Sequence, residues 1–162
     1  VDVGYGQLVG RLRQDARVVN LEKTNISDEK LLSLSPTPTL GTVDLSYLSL
    51  RAGVPYFRAV LRGQGELVCL VKPLFETDDM EARRTGILSE TVYAPLLVRL
   101  IADLNAMDDT FCEDVTNSAV TGNAGTIEFF LHVRLGERRG ELPAGAIDAA
   151  VTRALALEKF RK

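Results

Sequence analysis

Three charged residues that lie far apart in the sequence each interrupt or end a short apolar segment. Asp44 and Lys72 directly follow such segments, and Glu128 lies inside a third. In an open α/β sheet, ligands bind beyond the carboxyl ends of the parallel strands, so these residues are candidates for one site. Each of them alone also fits a simpler interpretation, in which a polar residue marks the point where a strand leaves the core for solvent.

A lysine accompanied by two carboxylates can act on a weakly acidic hydroxyl group. Such a lysine can remove the hydroxyl proton or orient the oxygen as a nucleophile, and the carboxylates position the lysine and adjust its charge. Burial lowers the pKa of a lysine and nearby carboxylates raise it, so the sequence leaves both roles open. Together, Asp44, Lys72 and Glu128 therefore predict a site that activates a hydroxyl group.

The strands that would position these residues follow from the hydrophobic pattern. Short apolar runs alternate with longer amphipathic segments, and turn residues separate them, which predicts an α/β fold. Residues 66–72 form the clearest strand, because a near-continuous apolar run suits a parallel sheet covered on both faces. The other predicted strands are residues 17–22, 40–44, 110–118 and 126–135.

Helices are predicted between and after these strands. The strongest pattern follows Ser89, where apolar side chains recur at helical spacing to about residue 107. Residues 77–85, which precede it, are predicted to form a charged loop. Ser27 and Ser89 are predicted to cap the helices that begin after them. The remaining predicted helices are residues 6–13, 28–34, 50–61 and about 143–159.

Length and composition are those of a single globular domain. The chain has 162 residues, of which 46% are hydrophobic and 25% are charged. No run of 18 apolar residues occurs, and residues 1–10 lack the basic region and the apolar stretch of a signal peptide. These features predict a soluble cytoplasmic protein that has no membrane partner.

Cysteine usage, the single histidine and the net charge restrict the possible functions. Cys69 and Cys112 belong to no CxxC or Cys/His cluster and are predicted to be free thiols, and His132 alone cannot build a zinc site, so we predict no metal site. The net charge of −3 argues against a chain whose whole surface binds nucleic acid. It is compatible both with a local basic patch and with ordinary solvated charge. Arginines cluster at residues 11–17, 83–84 and 134–139.

Six short segments share their order and spacing with one protein family. They are residues 2–8 (DVGYGQL), 17–25 (RVVNLEKTN), 43–50 (VDLSYLSL), 70–76 (LVKPLFE), 85–88 (TGIL) and 118–130 (SAVTGNAGTIEFF). Through them the chain resembles the TlyA-type haemolysins over roughly residues 1–136. Members of that family combine an S4-like RNA-binding domain with an FtsJ-like methyltransferase domain.

The resemblance implies a fold and an activity. The fold would be a Rossmann-like class I methyltransferase sheet with helices on both faces and with its final two strands antiparallel. The activity would be the 2'-O-methylation of ribosomal RNA with S-adenosylmethionine. The family uses a Lys-Asp-Lys-Glu catalytic set, and Asp44, Lys72 and Glu128 match its last three members.

The resemblance also implies where the cofactor would bind. Asp2 matches the acidic residue that holds the ribose hydroxyls of the cofactor, and Asn25 would border the adenine together with the backbone near Asp44. The implied cofactor contacts are Asp2, Gly4, Asn25, Asp44 and Leu45.

The main departure from the family pattern concerns what would precede Val1. The glycine-rich cofactor loop, the first catalytic lysine, the first strand and most of the second strand have no match in the chain, nor does the S4-like domain. Residues 1–162 are therefore expected to form one incomplete FtsJ-like domain, in which Asp2 frays and S-adenosylmethionine does not bind to this chain alone. Unpaired strand edges near residues 17–22 and 40–44 would favour a rearranged strand order or a homodimer.

Smaller departures affect the loops. Residues 122–125 (GNAG) are predicted to be a turn between two strands and not a substitute for the missing cofactor loop. Leu74, Ala119 and Thr126 stand where the family usually has Gln, Pro and Asn. These changes bear on RNA contacts or loop shape more than on the three main residues.

Two functions are compatible with these observations. One is methylation of ribosomal RNA, with ribosomal RNA or ribosomal subunits as partners. The alternative is a truncated or degenerate family member that binds RNA or a protein without catalysis. A membrane-active haemolysin, which the family name suggests, has no support because no helix combines a strongly basic face with an aromatic one.

Overall fold

A computed structural model describes residues 1–122 and 125–157, and within them four strands form one sheet. The strands are β1 (Leu40–Val43), β2 (Gly65–Val71), β3 (Thr110–Asn117) and β4 (Phe129–Leu135). Their order in the sheet is β1-β2-β4-β3; β1 and β2 run parallel, and β4 runs antiparallel to both of its neighbours. The α/β class and the antiparallel final pair are thus confirmed.

Helices precede, connect and follow the strands. They are α1 (Gly10–Arg13), α2 (Leu50–Val60), α3 (Pro73–Glu76), α4 (Met80–Thr85), α5 (Tyr93–Asn105) and α6 (Ala146–Leu155), and 3-10 turns lie at Glu29–Ser33 and Glu90–Val92. No helix in the described ranges has the length and apolar character that crossing a bilayer requires.

The hydrophobic core lies between one face of the sheet and the helices α2, α5 and α6. Leu67 on β2 and Phe129 on β4 are fully buried on this face. The predicted stripe of α5 packs there, and Leu97, Leu100 and Leu104 are buried at helical spacing. The opposite face is more open, since Val68 on β2 keeps 37% of its surface exposed.

The strand predicted at residues 17–22 is wrong. This segment forms turns and irregular structure, and its Val19 is exposed. Its end pairs with the start of the chain instead: the Asp2 amide donates to the Leu21 carbonyl at 2.9 Å, and the Thr24 amide donates to the Asp2 carbonyl at 2.9 Å. Asp2 is therefore held by its backbone, contrary to the expectation that it frays.

Other differences concern helix boundaries. The segment expected as a charged loop contains α4, because Asp79 caps the amides of Glu81 and Ala82 and Gly86 ends the helix in the left-handed conformation. Asp28, and not Ser27, caps the turn that follows it. The side chain of Ser89 makes no cap, since a 3-10 turn precedes α5. The end expected for the final helix, near residue 159, lies outside the described residues.

Candidate functional site

Asp44 and Lys72 meet at the carboxyl edge of the two parallel strands. Asp44 is the residue after β1 and Lys72 the residue after β2. The Lys72 Nζ lies 2.6 Å from Asp44 Oδ1 and donates a hydrogen bond to Ser46 Oγ at 3.3 Å. The lysine side chain is 21% exposed and that of Asp44 is 67% exposed, so the pair opens toward solvent from the carboxylate side.

Glu128 joins this pair from the neighbouring antiparallel strand. It immediately precedes β4, whose first residue Phe129 is paired with Val71 at the end of β2. Burial raises the pKa of the Glu128 carboxyl; the nearby Lys72 ammonium opposes that rise, and the Asp44 carboxylate adds to it. The three residues that the sequence singles out are thus brought together at one edge of the sheet.

We expect the raised pKa of Glu128 to make Glu128→Gln more heat-stable than the wild-type chain above neutral pH. A carboxyl whose pKa is higher in the folded state stabilises the fold below its unfolded pKa, and that contribution is lost as the pH rises through the folded pKa. The Tm of the variant should exceed that of the wild type by a few degrees at pH 8. The difference should disappear near pH 4, where glutamate is largely protonated even in the unfolded chain. Thermal unfolding followed by circular dichroism measures the Tm of the variant and of the wild type at each pH.

Glu66→Gln is the matched control. Hydrogen bonds from His132 and Arg134 lower the pKa of the Glu66 carboxyl, so the substitution should change stability in the opposite direction. This variant should have a lower Tm than the wild type near neutral pH, and the difference should shrink in acid. Equal pH profiles for wild type and Glu128→Gln would show that Glu128 is not in the environment described here.

A cleft of about 570 Å³ opens beside Lys72 and Glu128. Its other wall includes Ile87, which follows α4. Tyr47 and Phe75 form an aromatic pair at its mouth, with ring centroids 5.3 Å apart and planes inclined by 47°. Tyr47 is 92% exposed and has a φ of 66°, a left-handed backbone conformation that is uncommon for a bulky residue. The cleft therefore presents an aromatic surface next to Asp44, Lys72 and Glu128, which we call the charged cluster.

A second cavity, of about 700 Å³, lies on the other side of the loop that follows β1. The five residues expected to contact the cofactor all line it: Asp2, Gly4, Asn25, Asp44 and Leu45. Ser46 and Tyr47 line both cavities, so the charged cluster stands where the two meet.

The lining of the second cavity fits part of S-adenosylmethionine. Asp2 brings a carboxylate, which already accepts a hydrogen bond from the Gly4 amide at 2.6 Å, while Ile26 and Leu31 contribute apolar walls. The volume is that of a small-molecule site. A Cβ atom at Gly4 would lie 2.5 Å from Gln7 Nε2 and 3.0 Å from Asp2 Oδ1, so a larger residue there would displace the Gln7 side chain.

Sequence reasoning missed Ser46, Tyr47 and Phe75. All three lie within segments that carry the family resemblance, and the spacing of Ser46 and Tyr47 directly after Asp44 was the available signal. Of the three positions that depart from the family pattern, Leu74 and Thr126 line the cleft. They are therefore placed to alter its shape.

The arginine clusters are largely paired with carboxylates in the described residues, which favours the interpretation as ordinary surface charge. Arg134 illustrates this, because it lies between Glu66 at 2.7 Å and Glu113 at 3.4 Å. The other pairs are Arg13 with Glu22, Arg17 with Asp15, Arg84 with Glu81 and Arg138 with Glu141.

Several curated proteins and solved structures are similar to this chain. YqxC of Bacillus subtilis, which carries the name of an rRNA methyltransferase, is 36% identical over 167 residues. The 16S/23S rRNA (cytidine-2'-O)-methyltransferase TlyA of Mycobacterium tuberculosis is 32% identical over 154 residues. These matches cover 100% and 95% of this chain, but the chain spans only 59% and 57% of the length of the two relatives.

The crystal structure of a Lactococcus lactis protein that is described as a hemolysin has a fold similar to that of this chain. It superposes with a TM-score of 0.81 at 27% identity, over 94% of this chain and 73% of the other. FtsJ-like methyltransferases match residues 1–135, a range that begins at the proposed cofactor cavity and ends with the last residue of β4. The match thus includes all four strands of the described sheet and every residue of the charged cluster, and the chain belongs to the FtsJ-like methyltransferase family.

Proposed function

We propose that this chain is the catalytic domain of an enzyme that transfers a methyl group from S-adenosylmethionine to a ribose 2'-hydroxyl of ribosomal RNA, in the cytoplasm. The observation that carries this proposal is the position of Lys72. Its ammonium group is paired with Asp44 at the junction of two cavities, one suited to the cofactor and one open to a larger substrate. The name of TlyA supports 2'-O-methylation of ribosomal RNA, and the name of YqxC supports rRNA methylation in general.

The charged cluster would prepare the hydroxyl for attack. In its ion pair with Asp44, the ammonium of Lys72 can only donate hydrogen bonds, so it would hold the 2'-oxygen and stabilise the negative charge that develops there. Glu128, with its raised pKa, is a stronger proton acceptor than an ordinary glutamate and would take the hydroxyl proton. S-adenosylmethionine, when bound, supplies a methyl group activated by its positively charged sulfur.

Residues on the other side of the loop would hold the cofactor. Asp2 would accept hydrogen bonds from its ribose hydroxyls, and Asn25 and Leu45 would border its adenine. Asp44 lines this cavity and also binds Lys72, so it connects the cofactor side with the reacting hydroxyl. This arrangement would keep the two substrates close without placing them in one cavity.

Tyr47 is suited to stack on a base of the RNA substrate. Its ring is exposed at the mouth of the cleft, and Phe75 supports it from one side. Stacking of a base on an aromatic side chain contributes about 1–3 kcal/mol. Tyr47→Ala should therefore weaken RNA binding by about 5-fold to 150-fold, whereas Tyr47→Phe, which keeps the ring, should bind as the wild type does. Fluorescence anisotropy with a labelled single-stranded RNA measures the affinities, and equal affinity for all three proteins would contradict the proposed contact.

Incorporation of labelled methyl groups into ribosomal subunits tests the function as a whole. The protein should be used in the length that its gene encodes, with labelled S-adenosylmethionine and subunits from cells that lack the gene. We expect incorporation into RNA that depends on both protein and cofactor. RNA binding without incorporation would favour the non-catalytic alternative.

A further inference from the structure

Glu76, the last residue of α3, is a buried carboxylate that the proposed mechanism does not use. Its side chain is only 2% exposed. One carboxylate oxygen accepts a hydrogen bond from the Leu50 amide at 2.7 Å, and the other accepts from Ser49 Oγ at 2.5 Å and from Arg51 Nη1 at 2.9 Å. All three donors belong to the start of α2.

This position accounts for the burial of a charged group. The first amides of a helix have no partner within the helix, and a negative charge is favourable at that end. Glu76 satisfies the amide of Leu50, the first residue of α2, and its charge is balanced by Arg51. Arg51 is held in turn by Asp103 of α5 at 2.6 Å. The carboxylate thus joins α3 to α2, and through Arg51 to α5.

The elements that Glu76 joins are those that carry the proposed site. Lys72 immediately precedes α3, and the loop from Asp44 to Ser49 immediately precedes α2. The two segments are therefore tied together at both ends, by Lys72 with Asp44 at one end and by Glu76 with Ser49 at the other. Glu76 itself lines neither cavity.

We infer that Glu76 is a positioning residue, which sets the distance between Lys72 and the loop that carries Asp44, Ser46 and Tyr47. The contacts above support the claim that Glu76 sets this distance. Its consequence for catalysis rests on the proposed function. Displacements of about 1 Å at a reacting centre can lower rates by about a hundredfold, so the loss of this tie should matter even though Glu76 touches no substrate.

Glu76→Gln is the variant that tests this inference. Glutamine has the same size, but its amide group has a single acceptor oxygen and presents N–H donors to the donors of Ser49 and Arg51. The matched control is Asp103→Asn, which weakens the other anchor of Arg51 and leaves the contacts of Glu76 with Ser49 and Leu50 in place. Both variants are compared well below their Tm.

The first readout does not depend on activity. The chain has five lysines, so protein labelled with ¹³C-lysine gives few Cε signals, and Lys72→Arg identifies that of Lys72. Glu76→Gln should shift or broaden the Lys72 signal, and Asp103→Asn should leave it in place. In the protein of natural length, Glu76→Gln should also lower kcat by about 10-fold to 100-fold, with the KM for the cofactor changed less than about 3-fold.

A lower Tm for Glu76→Gln with an unchanged Lys72 signal and unchanged kcat would overturn the inference, since the residue would then only stabilise the fold. If Glu76→Gln does not fold, Ser49→Ala makes the same test by removing one of the three donors, with the same Lys72 signal as readout. If Lys72 proves dispensable for methyl transfer while its signal still responds to Glu76→Gln, the proposed function fails and the positioning stands.

Discussion

Lys72→Ala should lower the rate of methyl transfer by about a thousandfold while leaving cofactor binding nearly unchanged. The side chain would hold the reacting oxygen and stabilise its developing charge, and loss of one such group in other enzymes costs about a hundredfold to a thousandfold. The cofactor cavity loses nothing, because Lys72 does not line it. Methyl incorporation into ribosomal subunits and calorimetric titration of S-adenosylmethionine measure the two effects in the protein of natural length.

Lys30→Ala is the control for this experiment. Lys30 is also a lysine in an ion pair, with Asp28 at 3.1 Å, but it is half exposed and lines neither cavity. It should retain the activity of the wild type. Normal turnover by Lys72→Ala would remove the lysine from the mechanism, and loss of cofactor binding together with activity would mean that Lys72 supports the cofactor site instead.

Phe129→Ala should destabilise the fold by about 3–5 kcal/mol, the usual cost of deleting a fully buried aromatic side chain. Phe129 has no exposed surface and packs against Tyr93 of α5, with ring centroids 6.0 Å apart. It also follows Glu128 directly, so the same deletion would loosen the start of β4 at the charged cluster. Urea unfolding at equilibrium, followed by circular dichroism, gives the change in the free energy of unfolding.

The neighbouring Phe130→Ala provides the matched comparison. Phe130 is the next residue of the same strand, but its side chain points to the opposite face of the sheet and is only partly buried. Its removal should cost less than that of Phe129, about 1–2 kcal/mol, because part of its side chain is already in contact with solvent. Equal losses from the two variants would mean that both faces of β4 are covered, contrary to the packing described above.

Much of the fold could be predicted from local sequence patterns. The apolar spacing on α5 and the polar residues that end β1 and β2 are strong signals, because helical periodicity and strand ends depend on few neighbours. The convergence of Asp44 and Lys72 follows from the parallel pairing of their strands. The role of each residue in catalysis stays a prediction.

The predictions that were wrong depend on interactions that a short stretch of sequence does not contain. Residues 17–22 have the composition of a strand but no neighbouring strand to pair with in the described residues, and their apolar side chains stay partly exposed. The apolar run of β2 suggested burial on both faces, whereas Val68 is partly open. Helix α4 is not evident from the sequence because Asp79, which caps it, is one of several charged residues that also fit a loop.

The chemical position of the methyl group tests the central claim most directly. Ribosomal RNA from subunits treated with the protein of natural length and S-adenosylmethionine is digested to nucleosides, and mass spectrometry separates ribose-methylated from base-methylated products. We predict that a 2'-O-methylated nucleoside forms with the wild-type protein and that, at equal reaction time, Lys72→Ala yields about a thousandth as much. A methyl group on a base, or a 2'-O-methylated nucleoside that forms with Lys72→Ala at a rate close to that of the wild type, would contradict the assignment.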